Sequence, residues 1–334
     1  MTEQQTKQNL ANNAKEIKSK YFRPLTIGDV KLAGNCVLAP MAGLTEIGFR
    51  KIAKQCGACL TTTEMISAKA LAYKNEKTLK MLQTFRGEHP VAVQLFGHDP
   101  NDFKSAILSG VLDKFDIIDI NMGCPAPKIV NNGEGSALMK DLNTAEQIIK
   151  TVVAVSKKPV TVKFRSGFDN NHINAIDFAK MCERAGASAI TIHGRTRDQY
   201  YSGKSDYNVI KQCVEAVKIP VIANGDVFSK EDFDKCLEET GASGVAIARG
   251  ALGNLEIFAN ISGKTIKNNK FSQILVLNNE LKKAGYGETF ILNQLRAHLI
   301  YFIKGQKLAT QTKQKLLTIP STQELLLELK KCLQ

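Results

Sequence analysis

Eight short apolar runs, rich in β-branched residues, recur at near-regular spacing through the first three quarters of the chain. Stretches with helical periodicity lie between them, such as Thr144 to Val155 and Ala175 to Ala185, and Gly186 follows the second as a helix stop. Continuous hydrophobicity within the runs is typical of parallel strands covered by helices on both faces. The runs are residues 35–40, 59–65, 90–97, 116–123, 159–165, 189–194, 220–226 and 244–250.

Eight strand–helix units over about 215 residues favour an α/β fold of the closed (β/α)8 TIM barrel type. Spacing alone leaves an open doubly wound sheet as the alternative. After Gly253 the strand-like runs cease, and an S-x-x-E capping box at Ser321 and Glu324 begins the last of four helical segments. The segments are residues 271–284, 288–304, 308–317 and 321–332. We predict a polar N-terminal extension at 1–20, a barrel at 21–260 and an all-helical domain at 261–334.

The positive charge of the chain is unevenly distributed. Lys and Arg exceed Asp and Glu by 45 to 32, which gives a net charge of +13. Residues 261–334 contain 12 basic and 4 acidic side chains, so +8 of this excess lies in the predicted helical domain. Such a concentration indicates a polyanionic partner, with nucleic acid favoured over a membrane surface. A solvated lysine-rich surface is the alternative explanation.

No apolar run reaches the roughly 18 residues of a membrane span, and the N-terminus lacks the apolar core of a signal peptide. We therefore expect a cytoplasmic protein without a membrane partner, and a monomer. Eight cysteines dispersed in apolar stretches suit reduced thiols. Cys56 and Cys59 form a C-x-x-C, but no second pair or nearby His completes a zinc site, so no bound metal is expected.

Polar residues end most of the predicted strands, where the functional groups of a (β/α)8 barrel gather. Taken singly, each of these residues has a structural interpretation. Gln94 would be a hydrogen-bonded amide in the core, and His193 a histidine with a purely structural role. Lys163 lies between Val162 and Phe164 in a buried strand, so its charge must be compensated or its pKa lowered. Their coincidence on one rim indicates a binding site. These residues are Pro40, Met41, Ala42, Gln94, Asn121, Cys124, Lys163, Arg165, His193, Asn224, Gly225, Asp226 and Arg249.

The ends of the seventh and eighth strands indicate a phosphorylated ligand. Asn224-Gly225-Asp226 and Ala248-Arg249-Gly250 combine glycine amides with an arginine at the loops where barrels often bind phosphate. These residues alone do not separate a cofactor such as FMN from a sugar-phosphate substrate.

Several motifs between residue 36 and about residue 258 together resemble the tRNA-dihydrouridine synthases, and are most similar to the bacterial B-type members. They are APMAGLTE, VAVQLFG, NMGCPAPK, VKFRSG, HGRTRDQYYSG and IPVIANGDV. The resemblance implies FMN as cofactor, NADPH as reductant, and reduction of the C5–C6 double bond of uridines in the tRNA D-loop.

The family pattern also implies roles for individual residues. Pro40, Met41 and Ala42 are expected against the flavin ring, and Gln94 and Lys163 at its polar edge. Those expected around the ribityl phosphate are His193, Asn224, Gly225, Asp226, Ala248 and Arg249. Ala248 departs from the family pattern, in which glycine usually stands here.

Cys124 is the candidate proton donor. Hydride transfer from FMN N5 to uracil C6 leaves an enolate-like base that needs a proton at C5. A thiol of pKa about 8.5 is protonated at neutral pH yet acidic enough to supply that proton. The alternatives are a packing cysteine or the nucleophile of another enzyme.

The target uracil must leave its stack to reach a barrel mouth, so the body of the tRNA must be held elsewhere. Ten basic residues between 261 and 320 are candidates for phosphate contacts, while Lys128, Arg195 and Arg197 are expected nearer the target nucleotide. Asn121 is expected either to hydrogen-bond the uracil or to orient the flavin. Arg296 belongs to an R-x-H that weakly matches the family beyond residue 260. The ten are Lys264, Lys267, Lys270, Lys282, Lys283, Arg296, Lys304, Lys307, Lys313 and Lys315.

Three other functions remain open from the sequence. A flavin dehydrogenase of the dihydroorotate type acts on a free pyrimidine and needs no basic helical domain. A Schiff-base aldolase would use Lys163 and the phosphate site without a flavin. A tRNA-binding protein without catalytic activity would not need Cys124 or the polar rim. Which D-loop uridine is reduced is not determined by the sequence.

Overall fold

The computed structural model describes residues 18–266, 269–304 and 308–333. A short antiparallel hairpin of β1 (Leu25–Ile27) and β2 (Val30–Leu32) precedes eight parallel strands. The eight are β3 (Cys36–Leu38), β4 (Thr61–Ser67), β5 (Val91–Phe96), β6 (Ile117–Met122), β7 (Val160–Arg165), β8 (Ala189–His193), β9 (Val221–Asn224) and β10 (Gly244–Ile247). Each lies within or overlaps one of the eight predicted runs.

The parallel strands close into a barrel. They pair in the order β3-β10-β9-β8-β7-β6-β5-β4, and Val37 of β3 bridges Leu60 beside β4. All six residues of β6 are buried, as expected for a strand covered on both faces. The predicted (β/α)8 TIM barrel is therefore confirmed.

The hairpin β1–β2 covers the amino-terminal end of the barrel, and no predicted strand corresponds to it. Ile27 is fully buried and lines a small cavity inside the barrel. Gly28 turns the hairpin at φ +58°, and a Cβ there would lie 2.7 Å from Cγ of Pro159, just before β7. The hairpin therefore seals the end of the barrel opposite the strand carboxyl ends, which we call the foot.

Helices surround the barrel. The helix observed over the predicted segment Thr144 to Val155 begins two residues earlier than predicted. The second predicted helix begins at Ala175 as expected, and Gly186, at φ +96°, follows its end. The helices are α1 (Ile47–Cys56), α2 (Ala68–Ala72), α3 (Glu76–Met81), α4 (Pro100–Leu108), α5 (Pro127–Val130), α6 (Leu142–Val155), α7 (Ala175–Arg184), α8 (Tyr207–Ala216), α9 (Lys230–Thr240) and α10 (Ile257–Ser262), with 3₁₀ turns at Gly135–Lys140 and Arg249–Ala251.

Among the described residues, four helices form the C-terminal part, one for each predicted segment. They are α11 (Lys270–Lys283), α12 (Glu288–Phe302), α13 (Thr310–Thr318) and α14 (Thr322–Leu333). Ser321 Oγ accepts a hydrogen bond from Glu324 N at 3.2 Å, as the capping signal predicts. The predicted domain boundary at residue 260 falls inside α10.

The C-terminal helices pack tightly on the barrel through α11 and α1. A Cβ on Gly48 of α1 would lie 2.8 Å from Cα of Leu277, so the two helices approach at backbone distance. Lys51 Nζ pairs with Glu280 Oε1 at 2.8 Å beside this contact. The apolar faces of both parts therefore share one core.

The predicted N-terminal extension lies mostly outside the described residues, as do Lys267 and Lys307 of the predicted basic set. Ser19, near its end, is buried, and its N–H donates to Ile261 O at 3.0 Å. Within the described residues, no helix combines the length and the apolar character that crossing a membrane requires.

Candidate active site

A cavity of about 630 Å³ opens at the carboxyl ends of the barrel strands. This volume is typical of ligand pockets, which span about 300–1,000 Å³. Every residue predicted for catalysis or cofactor binding lines this one cavity. They are Pro40, Met41, Ala42, Gln94, Cys124, Lys163, His193, Asn224, Gly225, Asp226, Ala248 and Arg249.

The turn after β6 carries Cys124 to the cavity wall. Asn121 Oδ1 accepts hydrogen bonds from the backbone N–H groups of Gly123 at 3.2 Å and Cys124 at 2.9 Å. Ser136 holds the other side, because its N and Oγ donate to Cys124 O at 3.1 and 2.9 Å. A Cβ on Gly123 would lie 3.1 Å from Cα of Phe164, so the turn also presses on β7. The backbone of Cys124 is therefore held from both sides.

The Cys124 thiol is protonated at neutral pH. Burial raises its pKa above the ordinary value, and this effect exceeds the lowering by the Ala126 N–H, Arg165 and Lys163. A protonated thiol suits a proton donor better than a thiolate nucleophile.

Lys163 presents a cation to the cavity from β7. Its Nζ donates to Asn224 Oδ1 at 3.0 Å, and Asn224 Nδ2 in turn donates to Ala246 O at 2.7 Å. Burial lowers the pKa of Lys163 to about 8, and Arg165 adds to this lowering, whereas Asp119 opposes it. The amine is therefore still mostly charged at pH 7, and an anionic ligand would compensate its burial.

His193, at the end of β8, is a neutral imidazole. Burial lowers its pKa well below the ordinary value, and four cations around it, Lys163, Arg165, Arg195 and Arg249, lower it further. It therefore offers a hydrogen bond without adding charge to the cavity.

Asp226 organises the loops after β8, β9 and β10. Its carboxylate lies 2.8 Å from Arg195 Nη2 and 3.3 Å from Arg249 Nη2, and it accepts a hydrogen bond from Ser205 N at 2.7 Å. The preceding Gly225 has φ +127°, and a Cβ there would lie 2.5 Å from Ser205 Oγ. Only glycine fits this backbone position, which keeps the loop amides open to the cavity.

The residues predicted to contact substrate are placed differently from one another. Asn121 lines the cavity, whereas Lys128 and Arg197 lie outside its wall. Lys128 is exposed on α5. The Arg197 guanidinium lies 5.2 Å from the Phe168 ring centroid and pairs with Asp198 at 2.7 Å. Lys128 is therefore accessible to a large ligand, whereas the Arg197 side chain is only 20% exposed.

Arg195 and Arg296 are engaged inside the protein. Arg195 is only 2% exposed, and it donates to the carbonyl groups of Ser202 at 2.9 Å and Gly203 at 2.6 Å besides pairing with Asp226. Arg296 Nη2 donates to Ile319 O at 2.8 Å, which ties α12 to the turn before α14. The structure gives both a bracing role.

The cavity also has aromatic residues that the sequence prediction missed. Tyr201 and Phe228 are 56% and 49% exposed at its rim, and the Arg249 guanidinium lies 4.8 Å and 5.9 Å from their ring centroids. Both occur beside predicted residues, in HGRTRDQYYSG and just after Asn224-Gly225-Asp226, so the motifs contained a signal. Tyr301 of α12 also lines the cavity, and no local pattern marks it.

The family model described as dihydrouridine synthase (Dus) matches residues 37–334. The chain belongs to the dihydrouridine synthase family. The resemblance seen in the motifs is thus confirmed, and the family match continues through the C-terminal helices, beyond the motifs that end near residue 258.

Curated relatives of this family agree with the assignment. A probable tRNA-dihydrouridine synthase of Rickettsia conorii is 43% identical over 230 residues, which are 69% of this chain and 70% of the relative. Probable tRNA-dihydrouridine synthase 1 of Synechocystis sp. is 36% identical over 313 residues, 91% of this chain and 88% of the relative. The tRNA-dihydrouridine synthase B of Pseudomonas syringae pv. tomato is 37% identical over 286 residues, 83% and 85% of the two chains. The similarity therefore includes a B-type member, as the motifs indicated.

Proposed function

We propose that this family member is a tRNA-dihydrouridine synthase that uses FMN and NADPH to reduce the C5–C6 double bond of D-loop uridines. The observation that carries the proposal is one cavity in which a protonated thiol, Cys124, shares the wall with the buried cation Lys163 and the glycine–arginine loops around Asp226. This combination offers a proton donor, a partner for a redox cofactor and a phosphate site together.

The cavity residues fit FMN. Gly225 leaves room where a Cβ would strike Ser205, and Arg249, with its side chain 37% exposed, is available to an anionic phosphate. His193 is neutral and Asp226 is paired, so Lys163 and Arg249 leave the cavity with an excess of positive charge. We assign the phosphate to His193, Asn224, Gly225, Asp226, Ala248 and Arg249. The isoalloxazine ring is assigned to Pro40, Met41, Ala42, Gln94 and Lys163.

Each side chain then has a chemical task. Bound FMN, reduced by NADPH, supplies the hydride that is added at C6 of uracil. Lys163 provides the positive charge that favours an anionic form of the cofactor. Cys124 donates its thiol proton to C5, and Asn121 holds the Cys124 turn in place for this transfer. A positioned general acid contributes about 10²- to 10⁴-fold to such a step.

The substrate must be gripped outside the cavity, because a tRNA uracil reaches the thiol only after it is flipped out. Lys128 follows the cavity residue Pro127, and the Arg197 guanidinium lies 5.7 Å from the ring centroid of the cavity residue Tyr200. Lys304 follows Tyr301 by one helical turn, and Tyr301 itself lines the cavity. We propose that these cations contact phosphates next to the target nucleotide, with the C-terminal helices as the remaining tRNA-binding surface.

The decisive experiment maps dihydrouridine by mass spectrometry in unmodified tRNA after incubation with the full chain, FMN and NADPH. We expect new dihydrouridine in the D-loop, and its absence at every position would refute the proposal. A protein without visible flavin absorption would favour the aldolase alternative. Turnover of free dihydroorotate without modification of tRNA would favour the dehydrogenase alternative.

A further inference from the structure

Asp119 is a buried carboxylate beneath the cavity, for which the proposed chemistry has no task. It lies on β6 with 6% of its surface exposed, and it does not line the large cavity. It lines instead a space of about 20 Å³ inside the barrel, together with Lys163 and Thr161. Asp119 therefore cannot touch a ligand at the mouth, and any influence on the site must pass through other side chains.

Two side chains donate hydrogen bonds to Asp119. Thr161 Oγ1 donates to Oδ1 at 2.5 Å, and Gln94 Nε2 donates to Oδ2 at 2.7 Å. Burial raises the pKa of Asp119 to about 6, so the group is mainly ionised at pH 7. An ionised carboxylate only accepts hydrogen bonds. The Gln94 amide must therefore turn its NH₂ group toward Asp119.

The orientation of the Gln94 amide is coupled to that of Asn121. Because Gln94 Nε2 faces Asp119, Oε1 is left to accept from Asn121 Nδ2, at 2.9 Å. Asn121 Oδ1 then faces the Cys124 turn and accepts the N–H groups of Gly123 and Cys124. Each amide has nearly the same shape in its two orientations, so neither fixes the direction by itself. The two ends of the chain do so, since the Asp119 carboxylate only accepts and the Gly123 and Cys124 N–H groups only donate.

We infer that Asp119 is a positioning residue that anchors the buried end of the hydrogen-bond chain Asp119–Gln94–Asn121 and so holds the Cys124 turn in one conformation. The chain of contacts is observed directly, while its importance for the reaction rests on the proposed role of Cys124. An amide at position 119 can present either its oxygen or its NH₂ group to Gln94, so this end of the chain no longer has a single direction. Where the NH₂ group faces Gln94, Gln94 and then Asn121 would turn over, and the Gly123 and Cys124 amides would lose their acceptor.

Reactivity of the Cys124 thiol toward iodoacetamide reports on this turn without relying on catalysis. The full chain is alkylated as purified, and the Cys124 peptide is quantified by mass spectrometry. We expect Asp119→Asn to raise the alkylation rate about five- to tenfold, since two backbone hydrogen bonds are lost. Thr161→Val is the matched control, because it removes the other hydrogen bond to Asp119 and leaves the amide chain intact. Its alkylation rate should stay within about twofold of the wild-type rate.

Exchanging the carboxylate and the amide between positions 119 and 94 tests whether the direction of the hydrogen bonds matters, as opposed to a general loosening of the site. In Asp119→Asn combined with Gln94→Glu, the carboxylate at 94 accepts from both neighbouring amides and the total charge is conserved. Asn121 again faces an acceptor and should recover its orientation, so we expect alkylation to return to the wild-type rate. Gln94→Glu alone is the matched single variant. It places two carboxylates side by side, so its alkylation rate should not return to the wild-type value.

Each outcome decides the inference. A wild-type rate in Asp119→Asn, an equal rise in Thr161→Val, or a swap variant that stays fast would overturn it. If Asp119→Asn does not fold, the swap alone decides, since a folded swap with the wild-type rate supports the inference and an unfolded or fast one refutes it. Dihydrouridine formation by the wild-type chain is scored separately. Its absence removes the proposed function but leaves the alkylation pattern interpretable.

Discussion

His298 Nε2 lies 3.7 Å from Glu46 Oε1, with the two side chains only 2% and 3% exposed. The His298 ring also stacks on Phe49 with centroids 4.9 Å apart, and Glu46 caps α1 by accepting from Phe49 N at 3.1 Å. Burial raises the pKa of Glu46 to about 8 and lowers that of His298 to about 4. Both groups are therefore mainly neutral at pH 7. The C-terminal helices meet the barrel here through uncharged side chains.

This pair predicts an unusual dependence of stability on pH. Between pH 6.5 and 8 the folded protein retains a proton on Glu46 that the unfolded chain has lost, so the free energy of unfolding should fall as pH rises. Over that interval the loss is roughly 2 kcal/mol, at about 1.4 kcal/mol per pH unit. Between pH 4.5 and 6.5 the profile should be flat, because the unfolded chain protonates the histidine while the folded chain protonates the carboxyl.

Two variants separate these contributions in urea unfolding at a series of pH values. Glu46→Gln keeps an oxygen that can cap α1 and should abolish the decline above pH 6.5. His298→Leu should extend the decline downward to about pH 4.5, because only the Glu46 proton then differs between the states. A Glu46→Gln profile parallel to the wild-type one would contradict the assignment.

Cys124→Ala should separate the two halves of the proposed reaction, which are flavin reduction by NADPH and uridine reduction by the flavin. The cavity keeps Lys163 and the loops around Asp226, so we expect bound flavin that NADPH still reduces. Dihydrouridine formation should fall about 10²- to 10⁴-fold because the proton donor is gone. Cys182→Ala, in the buried face of α7, is the matched cysteine control and should retain product formation. Flavin spectra and tRNA nucleoside analysis measure the two halves, and a normal yield from Cys124→Ala would exclude the thiol.

Lys163→Met should lower the reduction potential of bound flavin. The variant removes the cation that is expected to stabilise an anionic reduced form. A tenfold loss of that stabilisation lowers the potential by about 30 mV for a two-electron couple. Lys163→Arg retains the charge and should shift the potential less. Equilibration with a reference dye measures both potentials. Identical potentials in wild type and Lys163→Met would place the lysine away from the cofactor.

The position of the basic residues predicts unequal effects on tRNA binding. Lys264 lies against Gly57, where α1 ends at the foot of the barrel, whereas Lys304 lies one turn beyond the cavity residue Tyr301. Lys304→Glu should weaken tRNA binding several-fold and reduce the salt dependence by about one phosphate contact, while Lys264→Glu should change neither. Fluorescence anisotropy at several salt concentrations tests this pair. Equal losses would mean that total charge, and not location, governs affinity.

The barrel and most of the cavity wall follow from patterns in the amino-acid sequence. Continuous hydrophobicity marks a strand buried on both faces, and parallel strands in a barrel bring their carboxyl ends to one rim, so polar residues such as Gln94, Lys163 and Asn224 could be assigned to one site. The four C-terminal helices were predicted from helical periodicity and, for the last one, from a capping signal. These signals come from near neighbours along the chain.

Which polar groups are free to act depends on contacts that form when the chain folds. Arg195 looks like a rim cation in the sequence, but it is buried against Asp226, 31 residues away. Tyr301 reaches the cavity from the C-terminal helices, and Lys264 is carried to the foot. Gln94 donates a hydrogen bond to Asp119, 25 residues away along the chain. Burial and hydrogen-bond partners depend on segments that are distant in sequence, so local pattern does not contain them.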